Sequence, residues 1–139
     1  NSITVMIQKE VADRLIEIPG GKNTGAITYA IYYYCTSEKI LEVENNSFIP
    51  EPEVTSEVIK LNIRKNPPIE VKNKELLFDI IKKAFMQRRK TLLNSLVNSK
   101  VFLNKEDGIK VLKELNIDIN IRPEKLTLND FAKIANKLA

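Results

Sequence analysis

The spacing of apolar and polar positions changes several times along this chain, and each change marks an element. Ile3-Thr4-Val5-Met6-Ile7 is a short β-branched run, too short for a helix and consistent with a buried strand. From Glu10 the period lengthens. Val11, Leu15 and Ile18 recur at helical intervals until Pro19-Gly20-Gly21 interrupts them. A strand leading directly into a helix is an α/β signature. Asn23-Thr24-Gly25 reads as a loop or cap. Ala26 to Cys35 is apolar almost throughout, which fits a buried helix or a strand; its length of about ten residues favours helix. Its tyrosines, and Cys35, read as packing.

Lys39-Ile40-Leu41-Glu42-Val43 is a second short strand, and Asn45-Asn46-Ser47 turns the chain. Pro50 and Pro52 then force extended backbone on Phe48–Val54 and forbid a helix, so this is a stiff loop that fixes Phe48. A Phe beside such a loop reads first as a plug for a core edge. Glu57 to Arg64 alternates, with Ile59, Leu61 and Ile63 on one side and Lys60, Asn62 and Arg64 on the other, a strand with one wetter face.

Lys65-Asn66-Pro67-Pro68 is the best linker in the chain. After it the signals are helical. A first helix is predicted from about Asn73 to Asn98, with Leu77, Ile81, Ala84, Phe85, Leu92 and Leu96 on one face. On that wheel Arg88 falls inside the apolar stripe, where an unpaired charge costs several kcal/mol. A carboxylate partner at the junction of the two halves is therefore expected. A second helix runs from about Lys105 to Leu115, capped by Asn104. A third is capped by Thr127 with Asp130 three residues on, and carries Phe131, Ile134, Ala135 and Leu138 on its apolar face. The layout is an α/β piece, residues 1–64, a linker, 65–68, and an all-helical piece, 69–139.

Charge changes this picture at one place. The chain carries a net +4. Residues 72–96 hold seven Lys/Arg against Glu75 and Asp79, so the remainder is close to neutral and slightly acidic. Lys82, Lys83, Arg89 and Lys90 lie on the predicted helix away from its apolar face. Such a local field favours phosphate or an anionic membrane surface; otherwise it is a solvated helix face. There is no His, and Cys35 is the single cysteine. Ser-His and Cys-His nucleophile systems are thereby excluded from this chain, as are Cys- or His-rich zinc sites and internal disulfides. The lone thiol suits a cytoplasmic setting. No run is long enough to span a membrane. Gln8 and Glu10, at the end of a strand, sit where α/β folds place ligands, although Glu10 equally suits a helix N-terminus.

Four stretches together resemble a known family. They are Val5-Met6-Ile7-Gln8-Lys9-Glu10-Val11-Ala12-Asp13-Arg14-Leu15; Phe48-x-Pro50-x-Pro52-x-Val54; Phe85-x-Gln87-Arg88-Arg89-Lys90-Thr91-Leu92-x-Asn94; and Arg122-Pro123-Glu124-x-Leu126. In this order and spacing they resemble the bacterial ribosomal RNA small-subunit adenine dimethyltransferases, whose loss confers kasugamycin resistance. The related antibiotic-resistance methylases and mitochondrial transcription relatives share the fold and the Phe-x-Pro-x-Pro element.

The resemblance implies that residues 1–64 are the carboxyl part of a Rossmann-like S-adenosylmethionine-dependent methyltransferase domain, with helix over Ala26–Cys35, and that residues 69–139 are a small helical rRNA-binding domain. It implies dimethylation of the exocyclic amines of two adjacent adenines near the 3′ end of small-subunit rRNA. The target base leaves its stack to be methylated. Phe48 is then the stacking residue, and Lys82, Lys83, Arg89 and Lys90 are RNA-backbone contacts. The family's Gly-rich turn and Asn-Leu-Pro-Tyr signature do not occur in this chain, and Glu53 and Thr55 stand where the family commonly has Lys and Asp. The expectation is a carboxyl-terminal fragment of a ribosome-biogenesis enzyme, with no cofactor bound and no metal, inactive alone and prone to dimerise through an exposed strand edge. The alternatives are a non-catalytic RNA- or ribosome-binding module on the same scaffold and, more weakly, a membrane-attached amphipathic helix.

Overall fold

The alternating residues form three strands, β1 (Ser2–Gln8), β2 (Cys35–Val43) and β3 (Ser56–Ile63). The computed structural model describes residues 1–44, 55–87 and 89–139. The expectations for Phe48, for the rest of its loop and for Arg88 fall outside the described residues. The strands pair in the order β1-β3-β2, antiparallel throughout, with Val5 opposite Ile59 and Cys35 opposite Ile63. Helix α1 (Lys9–Ile16) follows β1 without a loop, and α2 (Ala26–Tyr34) runs straight into β2. Ala12 of α1 and Ile31 of α2 pack with Ile59 and Leu61 to cover one face of the sheet. Of the helix and strand readings of Ala26–Cys35, helix therefore holds as far as Tyr34, as its length and the family resemblance both implied, while Cys35 opens β2.

The α2–β2 junction is tied by Arg64. Its Nε donates to the carbonyls of Tyr32 (2.9 Å) and Cys35 (3.1 Å), and its guanidinium lies 5.0 Å from the centre of the Tyr32 ring. A cation on the last carbonyls of a helix satisfies acceptors that the helix itself leaves open. On β3 the fully buried Glu57 shares the apolar face with Ile59 and Leu61. Lys9 Nζ at 3.1 Å and Lys39 Nζ at 3.3 Å pair with it. Its two lysines make the burial of that carboxylate tolerable. The Glu57 and Asp13 carboxylates in turn hold the Lys9 ammonium above its ordinary pKa.

Two expectations need correction. The run Ile3–Ile7 is not a buried strand: β1 is an edge, bonded on one side only, and Ile3 and Met6 are each about half exposed. The helix predicted from Asn73 to Asn98 is two helices, α3 (Lys74–Ala84) and α4 (Leu92–Asn98). Its apolar period continues across the break, but the backbone does not. Thr91 caps α4 by accepting from the Asn94 amide, and the Leu92 amide donates to the Ile121 carbonyl at 2.9 Å. A capping threonine supplies a new helix start wherever its oxygen meets the first-turn amides. A single helical wheel over Asn73–Asn98 therefore does not apply.

The remaining helices start where their caps predicted. Asn104 accepts from the Asp107 amide at the head of α5 (Lys105–Glu114). Thr127 and Asp130 form a reciprocal capping box on α6 (Leu128–Leu138). Between α5 and α6 lies one 3-10 turn, Pro123–Lys125. Helices α3 to α6 enclose a core around Leu77, Ile81, Leu96, Leu112 and Phe131, and two tyrosines of α2, Tyr29 and Tyr33, belong to the same core. No helix among the described residues is long and apolar enough to cross a membrane.

Gly108 shows how close the packing of α5 is. A Cβ there would lie 2.5 Å from Leu93 Cδ1 and 2.7 Å from Phe102 Cδ2, both on buried side chains. Alanine normally gains up to about 1 kcal/mol over glycine inside a helix. Overpacking costs about 1–3 kcal/mol. Gly108→Ala is therefore expected to lower the unfolding free energy by about 1–2 kcal/mol net, measured by urea denaturation. A stabilised variant would show that α4 and α5 do not pack this closely.

Candidate nucleic-acid interface

Three separated segments meet around one open groove of about 910 Å³. The first wall is Arg14 at the end of α1 with Lys22, Asn23, Thr24 and Gly25 of the α1–α2 loop. The floor is the turn between α3 and α4, with Phe85, Gln87, Arg89 and Lys90. The second wall is Arg122, Pro123 and Glu124.

Local hydrogen bonds hold the first wall. Thr24 Oγ1 accepts from the amides of Gly20 (3.2 Å) and Gly21 (3.1 Å) and donates to Glu17 Oε2. Thr28 Oγ1 accepts from the Gly25 amide and donates to the Arg14 carbonyl at 2.7 Å. Gly20 has φ +112°, a conformation that side chains oppose, and the carbonyls of Lys125 and Leu126 lie within 4 Å of where its Cβ would be. The loop is thus seated against the second wall. On the floor, Arg89 has φ 72°. A left-handed non-glycine residue costs roughly 1–2 kcal/mol, so the surrounding turn dictates that conformation.

Electrostatically the groove is one-sided. Arg14, Lys22, Arg89, Lys90 and Arg122 are all exposed, and Glu124 is the single lining carboxylate among the described residues. Glu124 Oε1 lies 3.8 Å from Arg122 Nε, a loose pairing that leaves most of the positive field intact. Five cations of one sign along a concave surface concentrate an attractive potential for polyanions.

Of the residues predicted as RNA contacts, Arg89 and Lys90 enter this groove. Lys82 and Lys83 do not line it. They occupy the last turn of α3, where Lys83 Nζ is 2.8 Å from Asp79 Oδ2. Sequence reasoning did not single out Arg14, Lys22 or Arg122. Arg14 and Arg122 stood inside the resemblance motifs, but only the fold brings them beside Arg89.

Gln8 and Glu10 come together with Lys9 and Thr55 around a second hollow of about 190 Å³ at the end of β1. Glu10 also occupies the first turn of α1, where its charge complements the helix dipole. The described residues do not fit S-adenosylmethionine. The hollow is smaller than the roughly 300–1,000 Å³ of a small-molecule site. The groove is large enough, but its five cations would repel a sulfonium cation. Among the described residues no cluster of three or more acidic, Cys or His side chains could hold a metal.

The fold and the sequence have clear relatives. In fold the chain is similar to a dimethyladenosine transferase from Plasmodium falciparum, with TM-score 0.72 and 24% identity over 96% of this chain and 55% of that one. It is also similar to the 23S rRNA methyltransferase ErmE, with TM-score 0.69 and 17% identity over 99% of this chain and 54% of that one. In sequence it is 46% identical over 134 residues to ribosomal RNA small subunit methyltransferase A of Clostridioides difficile, covering 96% of this chain and 46% of the relative. It is 43% identical over 139 residues to the protein of the same name from Alkaliphilus metalliredigens, covering 100% of this chain and 48% of the relative. The chain spans about half the length of these relatives. The family model described as ribosomal RNA adenine dimethylase matches residues 1–139 in full, so the chain that builds this basic groove belongs to the ribosomal RNA adenine dimethylase family.

Proposed function

We propose that this chain supplies the RNA-holding, carboxyl-terminal part of an enzyme that transfers methyl groups from S-adenosylmethionine to adenine exocyclic amines of small-subunit rRNA. The two adjacent adenines near the 3′ end are its targets, and the cytoplasm is its setting. One observation carries this reading: five exposed cations from three distant segments converge on one open groove, in a chain whose family model covers it end to end. Phosphate contacts need positive charge on a rigid support, and the bonded α1–α2 loop and capped helices supply it. We assign residues 1–64 to the methyltransferase domain, 65–68 to a linker and 69–139 to the helical domain. Phe48 is assigned to stacking on the extruded adenine, on the strength of its Phe-x-Pro-x-Pro setting.

Arg89 and Lys90 are the test. Arg89→Ala with Lys90→Ala is expected to weaken binding to a small-subunit rRNA transcript. The slope of log affinity against log salt should fall by about 0.7–0.9 for each phosphate that the variant no longer neutralises. An unchanged slope removes these residues from the interface.

The poor fit of the described residues to S-adenosylmethionine favours one second reading, a binding module without catalysis. Labelled methyl transfer separates the two. The 139-residue chain alone is expected to transfer none, and a longer chain carrying a Gly-rich turn and Asn-Leu-Pro-Tyr is expected to transfer methyl groups to the rRNA. Transfer by the 139-residue chain itself would refute the division of labour proposed here. A longer chain with both motifs that binds rRNA without methylating it would favour the binding module.

The β1 edge belongs to the same reading. Its seven residues contain no charge, Pro or Gly, so nothing protects the unpaired edge. The 139-residue chain is expected to self-associate through it. A monomer at every concentration in sedimentation would show the edge to be closed by other means.

A further inference from the structure

We propose that Tyr29 is a positioning residue that sets the shape of the basic groove, an assignment that rests on the RNA-binding reading above. Tyr29 is fully buried and touches no groove surface itself, yet it links all three of its sides. It stands one turn into α2, directly after the loop that forms the first wall. Its ring lies 5.8 Å from that of Phe85, on the floor, and meets Phe131 of α6 edge-on at 4.9 Å. Its hydroxyl donates to the Leu126 carbonyl at 2.7 Å and lies 3.1 Å from the Pro123 carbonyl, which reaches the second wall behind Arg122.

Packing alone would be served by Phe. A hydroxyl in a fully buried site is unfavourable unless bonded. Here its bonds go to the short turn that presents Arg122 and Glu124 to the groove. The turn's own backbone closes it through two local bonds, Lys125 amide to Arg122 carbonyl at 3.0 Å and Leu126 amide to Pro123 carbonyl at 3.1 Å. Burial, with the carboxylates of Asp130, Glu124 and Glu17 adding to it, holds the phenol above its ordinary pKa. The hydroxyl therefore remains a donor throughout the range in which RNA binding is measured. Removing it frees the Arg122 wall to move relative to Arg14 and Lys22, while every groove cation is retained.

The experiment uses the 139-residue chain and an in vitro transcript of small-subunit rRNA, titrated over a salt series. Tyr29→Phe is expected to weaken binding about 3- to 10-fold and to make the salt dependence shallower, although no charge has been removed. Arg122→Ala should absorb most of that effect, so that the double variant binds nearly as well as Arg122→Ala alone. Ile134→Val, which trims the same core on α6, is expected to lower the melting temperature and leave affinity and slope unchanged.

Amide exchange gives a reading independent of RNA. In Tyr29→Phe, Lys125 and Leu126 should exchange faster while Leu77 of α3 does not. A Tyr29→Phe variant with wild-type affinity and slope overturns the positioning role. So does a double variant in which the two effects multiply in full, or a uniform rise in exchange. A wild-type chain that binds no RNA overturns the underlying reading and this role with it, and is recognised because the unaltered protein fails.

Discussion

The bond from the Tyr29 hydroxyl to the Pro123–Leu126 turn closes a loop of more than ninety residues, and the arrangement of the two cores depends on the helix that carries it. Helix α2 is apolar around most of its circumference because it has two faces to bury. Ile31 packs against the sheet with Cys35 beyond the helix end, while Tyr29 and Tyr33 enter the helical core. An aromatic pair contributes about 0.5–1.5 kcal/mol beyond the area it buries, and Tyr29 makes two. Its hydroxyl adds a net ~1 kcal/mol, and leaving a buried partner unpaired would cost about 1–3 kcal/mol. These amounts are small beside the total burial. They fall, however, on α2, a helix that contributes to both the sheet core and the helical core, so they help fix how the two sit together.

Local features were legible in the sequence because their causes are local. Asn104 and the Thr127–Asp130 pair announce helix starts through bonds that span three residues, and β3 alternates as its faces demand. The split between α3 and α4 was not legible. The apolar positions keep a helical phase straight through it, and the competing terms are a cap at Thr91 and a tertiary bond from the Leu92 amide to Ile121. The exposure of β1 was hidden in its own residues, since a β-branched run reads the same at an edge as in the middle of a sheet; only the expectation of a truncated sheet pointed to an exposed edge. Glu57 carried no warning of its burial, because the lysines that make it tolerable come from α1 and β2.

The candidate interface was half legible for the same reason. Charge counting along the chain found Arg89 and Lys90 but grouped them with Lys82 and Lys83, their neighbours in sequence. The fold regroups them with Arg14, Lys22 and Arg122. Potential depends on distance in space, and beyond about 8–10 Å at physiological salt an exposed charge contributes little. Lys83 is partly neutralised by Asp79 at 2.8 Å, whereas among the described residues the groove cations share their lining with one carboxylate, Glu124. Among the described residues the groove thus gathers more uncompensated positive charge than the α3 face from which the basicity was first read.

The sign of that field bears on where methyl transfer can occur in the proposed enzyme. S-adenosylmethionine carries a sulfonium cation and rRNA a dense row of phosphates, so one positive groove cannot favour both. In the proposed enzyme, cations holding an RNA strand would raise the free energy of a methyl donor beside them, which favours a donor site outside their screened range. The substrate then has to bridge the gap. An adenine rotated out of its stack can do so while its backbone stays in the groove, with backbone binding energy offsetting the cost of unstacking. On this account the rigidity of the groove matters as well as its charge. A cation wall that shifts by about 1 Å meets the phosphates less well and also delivers the base to the wrong place. Such a wall is better held by buried hydrogen bonds and aromatic contacts under it than by further surface charge.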